Sequence, residues 1–233
     1  MASDRAFISV ILPVLHEAGT INTVIAHLRG LLQNSPVEII VVDGDPAGGT
    51  LRAIQDEGVV RMFAEPGRAR QMNYGASQAH GEVLLFLHAD PLLPQQALTR
   101  IEAALGDTRI AAGAFDLGFD TKRSIFRLTE KYAALRTRLT RIPFGDQAIF
   151  VRKAYFNEIG GYAEIPLMED VELMGRIKKQ GGRICIIPLQ VLTSPRRYEQ
   201  EGLLYCTFRN WALQLCYLAG VSPAKLVKWY RQS

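Results

Sequence analysis

His88 and Asp90 are the first residues whose type and position could do chemistry. They lie in the stretch VLLFLHADPLLP, where an apolar run typical of a fully buried strand leads into His88-Ala89-Asp90 and turns at Pro91. A carboxylate at a strand end could be half of a metal site, since an enzyme that binds a metal diphosphate would usually place two carboxylates there. It could also cap the helix that follows. Taken alone, the motif favours a cap or a buried histidine.

Acidic and basic residues occupy comparable positions elsewhere in the chain. Asp43 directly follows an apolar run, so its carboxylate could accept a hydrogen bond from a base N–H or a ribose hydroxyl, or equally cap its own turn. Arg68 and Arg70 open a predicted helix, and the arginine fork suits phosphate. A solvated helix face is their equally open alternative. Glu169 and Asp170 begin another predicted helix, where the helix dipole alone favours acids.

The elements that must position these residues alternate between strand and helix. FISVILPV and VEIIVVDG are typical of buried parallel strands, and a helix begins between them after Thr20. The pattern repeats with a helix from about residue 50, a strand VVRMFA, a helix over residues 68–80 and a strand EVLLFL. We therefore predict a doubly wound, mostly parallel sheet flanked by helices, which binds ligands at the carboxyl ends of its strands. Pro13, Asp43 and Asp90 lie at those ends.

The alternation of predicted strands and helices is less regular after residue 110. We predict a strand IAAGAFDLGF, a basic helix over residues 124–140, a strand AIFVRK, a helix MEDVELMGRIKKQGG that ends at Gly181-Gly182, and a strand RICIIP. The turn DGDPAGGT lacks the spacing GxGxxG, which excludes a dinucleotide-binding loop. One domain over residues 1–198 and a helical tail over residues 199–233, packed on that domain, are expected.

Composition narrows the classes of partner. With 233 residues, 48% of them hydrophobic, the chain can bury a large core. The net charge of +4 is scattered, so we expect no nucleic acid partner, although the charge suits an anionic small substrate. Cys185, Cys206 and Cys216 are odd in number and lack CxxC spacing, which indicates reduced core residues and a cytoplasmic protein. The N-terminal apolar patch lacks a basic n-region and predicts a strand rather than a signal peptide.

The apolar segment from Leu203 to Gly220 raises the question of a membrane. It carries Arg209, Asn210 and Gln214, and an arginine at a membrane centre costs about 2.5 to 3.5 kcal/mol, so a spanning helix is disfavoured. We favour an amphipathic helix packed on the domain. The alternative is peripheral contact with the inner face of the membrane through four aromatic residues. These are Tyr205, Phe208, Trp211 and Tyr217.

Four stretches together resemble the family 2 glycosyltransferases of GT-A fold. They are SVILPVLHEA, IIVVDGDPAGGT, GRARQMNYGASQAHGEVLLFLHAD and GGYAEIPLMEDVELMGRIKKQGGRICIIP, in order over roughly residues 7–190. The motifs HAD, PFGDQAIFVRK and PLMEDVEL are most similar to those of the arsenosugar-biosynthesis-type glycosyltransferase subgroup. The resemblance implies a Rossmann-like sheet and inverting transfer of a sugar from a nucleotide-diphosphate donor, with UDP the expected nucleotide, to a small-molecule or lipid acceptor hydroxyl.

The same resemblance implies roles for individual residues around the metal and the base. Asp90 takes the place of the metal ligand, for Mn²⁺ or Mg²⁺, and His88 stands where the family has the first acid of its DxD motif. Asp170 takes the place of the base that removes the acceptor proton, with Glu169 beside it in the acceptor site.

The remaining implied contacts concern the donor, the acceptor and the diphosphate. Those to the nucleotide-sugar are made by Pro13, Leu15, Glu17, Asp43, Arg68, Arg70, Asn73, His88 and Asp90. Asp146 and Gln147 could bind sugar hydroxyls or simply form a turn, and Arg196 or Arg197 could close over the diphosphate. The processive motif QxxRW is missing, which argues against a polymerase.

Three other classes of protein compete with this interpretation. A nucleotidyltransferase would share the fold, but no GxGTRxxP-like loop occurs near the N-terminus. A glycosidase would use a pair of carboxylates on the same sugars. A catalytically degenerate binding or scaffold protein at the membrane surface would explain both the missing first acid and the aromatic tail.

Overall fold

The computed structural model describes residues 7–31 and 37–232, over which strands and helices alternate. The strands are β1 (Ile8–Val14), β2 (Val37–Asp43), β3 (Val59–Phe63), β4 (Val83–Phe86), β5 (Ile110–Phe119), β6 (Ile149–Arg152) and β7 (Arg183–Thr193). The helices before β6 are α1 (Ile21–Leu31), α2 (Gly49–Ala53), α3 (Arg68–Gln78), α4 (Ala97–Leu105) and α5 (Ser124–Thr140). Those after it are α6 (Lys153–Glu158), α7 (Glu169–Lys179), α8 (Arg196–Glu201), α9 (Leu203–Leu218) and α10 (Pro223–Gln232).

The strands form one sheet in the order β3-β2-β1-β4-β6-β5-β7. Strand β1 pairs in parallel with β2 on one side and β4 on the other, whereas β6 is antiparallel to both β4 and β5. The predicted mostly parallel sheet is confirmed, and IAAGAFDLGF is a single strand. The antiparallel direction of β6 and the helices α4 and α6 were not among the predictions.

Helices cover both faces of the sheet because neighbouring strand residues point in opposite directions. Ile8, Val10 and Leu12 pack in one layer with apolar residues of α1 and α4. Ile11 packs in the other layer with α3 and α7. Burial on both faces explains why the central strands are continuous apolar runs rather than alternating ones.

One side chain of α3 is hydrogen-bonded to the carboxyl ends of both β1 and β2. The buried amide of Gln71 donates 2.8 Å hydrogen bonds to the carbonyl oxygens of Val14 and Val42. These bonds hold the first turn of α3 over the edge of the sheet where β1, β2 and β4 end. The loops that follow these strands therefore surround a common space.

The C-terminal helices pack around the start of α7. Leu213 of α9 and Leu226 of α10 lie in one apolar cluster with Leu167, Met168 and Val171. The predicted boundary between residues 198 and 199 falls inside α8. Along the described ranges, no helix has the length and apolar character required to cross a bilayer.

Candidate active site

Two clefts open at the carboxyl edge of the sheet. The larger cleft, about 630 Å³, lies between the loop after β1 and the first turn of α3. The smaller cleft, about 270 Å³, lies between the 3₁₀ turn Gly145–Gln147, the start of α7 and the C-terminal helices. Arg68, His88 and Asp90 line both clefts, so the two spaces meet at these side chains.

The HAD motif lies at this junction. Asp90 is exposed, and its Oδ2 accepts a 3.1 Å hydrogen bond from the Thr193 hydroxyl. Burial, and secondarily the positive charge of Arg68, lowers the pKa of His88 to about 3, so its imidazole is neutral. A Cβ at Gly145 would lie 2.6 Å from His88 Nε2, which explains why a glycine faces this ring. The motif is therefore not a helix cap, because α4 begins only at Ala97.

Glu169 and Arg68 join the two sides of the larger cleft. Glu169 is buried, and its Oε1 lies 2.8 Å from Arg68 Nε, while its Oε2 is buried without a hydrogen-bond partner. Burial raises the pKa of Glu169, the positive charge of Arg68 opposes this shift, and Asp170 adds to it. The pair connects the first residue of α3 to the first residue of α7.

Asp170 faces the smaller cleft, whereas Glu169 faces the larger one. The Gly145 N–H donates to Asp170 Oδ2 at 2.6 Å, and the Val171 N–H donates to Oδ1 at 2.7 Å. Its position in the first turn of α7 adds the favourable end of the helix dipole. These contacts hold the carboxylate against the 3₁₀ turn.

Asp146 adds a third carboxylate to the smaller cleft. Its Oδ1 is buried without a hydrogen-bond partner. Burial raises the pKa of Asp146 to about 6; Arg136 opposes this shift, and the negative charges of Asp170 and Asp90 add to it. Arg136 in turn stacks on the Phe144 ring, with its guanidinium carbon 3.5 Å from the ring centre. The acidic groups converge on a space where a cation would be stabilised.

The loop after β1 lies where the sequence predicts it. Pro13, Leu15 and Glu17 all line the larger cleft. The Glu17 N–H donates to the Thr50 hydroxyl at 3.0 Å, which fixes the loop to the start of α2. Asp43 is fully buried and does not line the cleft; its Oδ1 accepts the Asp45 N–H, and its Oδ2 has no hydrogen-bond partner.

Two predicted contact residues are used by the fold instead. Both ends of the Asn73 amide bond the backbone of Tyr162, each at 2.9 Å, and the side chain lines neither cleft. Gln147 is buried: its Nε2 donates to the Phe115 carbonyl, and its Oε1 accepts the Phe144 N–H. Both amides bond the backbone and line neither cleft, so their proposed contacts to the nucleotide-sugar and to the acceptor stay predictions that this geometry does not support.

The predicted arginines differ in their position relative to the two clefts. Arg70 lines the larger cleft, but its guanidinium is paired with Glu65 at 2.9 Å and with Glu164 at 3.1 Å. Arg196 begins α8 and lines neither cleft, and the Arg197 side chain lies outside the described part of the structure. Arg68 is the predicted arginine that reaches the junction.

Several lining residues come from distant parts of the chain and were not predicted. Tyr198 of α8, Asn210 and Leu213 of α9, and Tyr230 of α10 all line the smaller cleft. No local sequence signal marks them, because their position depends on how the C-terminal helices pack on α7. The predicted tail is thus part of the wall of the site.

A divalent metal fits the side chains at the junction. Within residues 7–31 and 37–232, no three His, Cys, Asp or Glu side chains are grouped as a protein-only metal site. Asp90 and Asp146 line the same cleft, and the exposed Asp90 carboxylate can supply one oxygen ligand. One or two carboxylates are what Mg²⁺ uses when substrate phosphates and water complete its shell.

The family is decided by the sequence match. The model described as glycosyl transferase family 2 matches residues 9–162, more than half of the chain. The chain belongs to glycosyl transferase family 2. No curated protein matches this family 2 member at a significant level.

Solved structures similar to this family 2 glycosyltransferase show a common fold. A mannosyltransferase from Pyrobaculum calidifontis in complex with GDP-Man and Mn²⁺ has 22% identity and a TM-score of 0.64, over 82% of this chain and 57% of the mannosyltransferase chain. Glucosyl-3-phosphoglycerate synthase from Mycobacterium tuberculosis, with Mn²⁺, UDP and glucosyl-3-phosphoglycerate, has 18% identity and a TM-score of 0.63, over 93% and 81%. These glycosyltransferases confirm the GT-A fold. This chain spans 57% of the length of the mannosyltransferase.

Proposed function

We propose that this chain transfers one sugar, with inversion at the anomeric carbon, from a nucleotide-diphosphate donor to a hydroxyl of a small-molecule or lipid acceptor. One observation carries the proposal: two clefts meet at Arg68, His88 and Asp90, and each cleft receives one acid of the Glu169-Asp170 pair. A transferase needs such an arrangement because the leaving group and the attacking hydroxyl occupy opposite sides of one carbon atom.

The larger cleft is proposed for the donor. Its volume suits a nucleotide-sugar, and the loop of Pro13, Leu15 and Glu17 forms one wall. Asp43 is retained as a proposed contact to the base through its unpartnered oxygen; because the side chain is fully buried and lines neither cleft, this contact requires the loop after β2 to move when the donor binds. Arg68 lies at the inner end of the cleft, where its guanidinium can donate to the diphosphate while it remains close to Glu169. UDP is the first nucleotide to test.

Asp90 is the proposed metal ligand. A bound Mn²⁺ or Mg²⁺ would act as a Lewis acid that neutralises charge on the departing diphosphate. The similar structures that hold Mn²⁺ with GDP-Man or with UDP support this choice. The neutral imidazole of His88 leaves the positive charge at the junction to Arg68 and the metal.

Asp170 is the proposed general base. Its carboxylate lies on the smaller cleft and is held in place by the Gly145 and Val171 N–H groups. As the acceptor oxygen attacks the anomeric carbon, the bond from that carbon to the diphosphate oxygen breaks, and the acceptor proton passes to an Asp170 oxygen. The carboxyl of Asp146, which lines the same cleft, is proposed to accept a second hydroxyl of the acceptor. The wording of these motifs supports the arsenosugar-biosynthesis-type subgroup, which we retain as part of the proposal.

A screen of nucleotide-sugars for thermal stabilisation tests the proposal. A ligand at 100 times its dissociation constant stabilises the folded state by about 2.7 kcal/mol. In a chain of this size that corresponds to a rise in melting temperature of about 5 to 10 °C. We expect such a rise with a UDP-sugar and Mn²⁺, and a smaller one without the metal.

The other outcomes identify the competing classes. No response to any nucleotide or metal would favour a degenerate scaffold, and release of free sugar from a glycoside without a nucleotide would favour a glycosidase. After a positive screen, the stabilising donor is incubated with a panel of acceptors, and the anomeric configuration of the product is determined by NMR. Retention of configuration would contradict the single-displacement chemistry assigned to Asp170.

A further inference from the structure

Helix α9 is packed with its apolar face outward. The inner side carries the buried Cys206 and Leu213, but also two polar residues: Arg209, whose side chain is 9% exposed, and Gln214, which is 8% exposed. The outer side carries large apolar residues that are 37% to 65% exposed. They are Tyr205, Phe208, Trp211, Leu215 and Leu218. A helix on a protein surface in water normally has the reverse orientation.

Buried polar contacts fix this orientation. The Arg209 guanidinium is paired with Glu201 and lies over the rings of Tyr205 and Tyr230, 5.2 and 5.1 Å from their centres. Rotating α9 to hide its apolar face would break these contacts and expose Leu213, which packs with Leu226. The outward apolar face is therefore a stable property of the packed helix.

Helix α5 extends the same surface. Ile125, Leu128, Leu135 and Leu139 recur on one side of α5 and are 43% to 73% exposed. Tyr132, on the same side, packs against Trp211 of α9 with ring centres 4.7 Å apart. The two stripes adjoin at this contact. We call these ten residues the α5–α9 surface: Ile125, Leu128, Tyr132, Leu135, Leu139, Tyr205, Phe208, Trp211, Leu215 and Leu218.

Exposed lysines lie on α5 itself and on α10, which packs against α9. The sequence has no Asp or Glu after Glu201. Lys225 and Lys228 are exposed on α10 beside the exposed Trp229, and Lys131 is exposed on α5. A second copy of this chain would bring further lysines to this surface, and its residues 202–233 contain no acid to pair with them. An anionic partner is complementary to them.

We propose that the α5–α9 surface binds an anionic membrane, with its apolar and aromatic side chains at the headgroup boundary and the lysines on lipid phosphates. A contiguous group of exposed apolar side chains on a folded chain, such as these ten residues, marks an interaction surface. Tryptophan, tyrosine and lysine around an apolar stripe are the composition of helices that lie in the plane of a bilayer. Lipid replaces water over the outward face, which accounts for the inverted packing of α9.

Vesicle co-sedimentation of the full chain tests the proposal. The purified protein is centrifuged with phosphatidylcholine vesicles, with vesicles that contain 30% phosphatidylglycerol, and without vesicles. We expect sedimentation with the anionic vesicles at low salt and a marked decrease at high salt, because screening weakens the lysine contacts. No nucleotide is present, so the result is independent of the proposed transfer reaction.

Matched variants locate the contact. Phe208→Glu combined with Leu215→Glu removes two apolar contacts and adds two negative charges, so the partition coefficient should fall by about a hundredfold or more. The control is Val60→Glu with Phe63→Glu, two exposed apolar residues on the edge strand β3, at the opposite end of the sheet from the α5–α9 surface. It should sediment like the wild type.

A second pair of variants tests the charge. Lys228→Gln should weaken partitioning about fivefold, as expected for one cation near an anionic surface. Lys179→Gln, an exposed lysine on α7, should leave partitioning unchanged.

Three results would overturn the proposal. The first is a wild-type protein that stays in the supernatant with anionic vesicles at low salt, and the second is binding that the Phe208 and Leu215 changes do not weaken. The third is a concentration-dependent dimer in sedimentation velocity that the same changes dissociate, since the surface would then pair two copies of the chain.

Discussion

Replacing Asp170 by asparagine should remove the proposed general base and leave donor binding in place. Asparagine has almost the same shape as aspartate but cannot accept a proton at neutral pH. General-base catalysis contributes about 10² to 10⁴-fold, so the turnover number for transfer should fall by a factor in that range. The dissociation constant for the nucleotide-sugar should change little, because Asp170 lines only the smaller cleft.

The structure also sets a stability cost for this change. Both oxygens of Asp170 accept a backbone N–H, from Gly145 and from Val171. Asparagine has one acceptor oxygen, so one N–H faces an amide nitrogen and loses its partner, at about 1 to 3 kcal/mol. Loss of negative charge at the start of α7 adds about 0.3 to 1 kcal/mol. For a chain of this size, the sum lowers the melting temperature by several degrees, about 3 to 15 °C.

The assay must therefore separate chemistry from folding. Turnover is measured with saturating donor at a temperature well below the melting point of the variant, and folding is followed by circular dichroism. Glu172→Gln is the matched control: Glu172 lies in the first turn of the same helix, is paired with Arg176 and lines neither cleft. It should lose stability without losing turnover. A folded Asp170→Asn protein with nearly wild-type turnover would refute the assignment, and Asp146 would be the next carboxylate to test.

Three further substitutions test the junction of the clefts. Asp90→Ala should abolish the Mn²⁺-dependent gain in UDP affinity measured by calorimetry with an unchanged melting temperature; an unaltered gain would exclude Asp90 as the ligand. Arg68→Gln should lower the free energy of unfolding in urea by about 1 to 3 kcal/mol. The loss is smaller than for a fully buried ion pair because the Arg68 side chain is 46% exposed. Adding Glu169→Gln to this variant should recover part of the lost stability. If the double variant is less stable than Arg68→Gln alone, the pair is not the cause. Asn73→Ala should cost about 2 kcal/mol of stability through the lost Tyr162 contacts, with UDP affinity retained; a stable variant that no longer binds UDP would restore the donor contact predicted from sequence.

The sequence predicts most of the sheet because burial on both faces gives its central strands a strong signal. Strands β1, β2 and β4 are continuous apolar runs that end in turn or polar residues, and each begins and ends close to its predicted bounds. The direction of β6 carries no such signal, since a short apolar strand is the same whether its neighbours run parallel or antiparallel. Helix α4 could have been predicted from the helical spacing of its apolar residues. Helix α6 is only six residues long, which is too short for such a spacing to be recognised.

The site is predictable where a residue's position follows from a strand end, and not where it depends on packing. Asp90 follows β4 and Asp170 lies in the first turn of α7, two elements that the sequence indicates, and the structure brings both residues to the smaller cleft. Gln147 lies in the same polar turn as Asp146, yet its side chain turns inward to the Phe115 carbonyl. Nothing in the sequence FGDQ indicates which of these side chains points into the core and which lines the cleft. Likewise, the apolar residues of α9 predict amphipathicity but not which face the domain covers.

The shared wall of the two clefts has a consequence for the order of events in a catalytic cycle. Arg68, His88 and Asp90 belong to both spaces, so a ligand that fills the larger cleft also forms part of the surface met by a ligand in the smaller one. Ligands that contact the same side chains can change one another's affinity, and any such change must be the same factor in both directions. An acceptor would encounter a complete pocket only after the donor has arrived. In the proposed reaction, the spent nucleotide would keep the junction filled and act as a product inhibitor until it leaves.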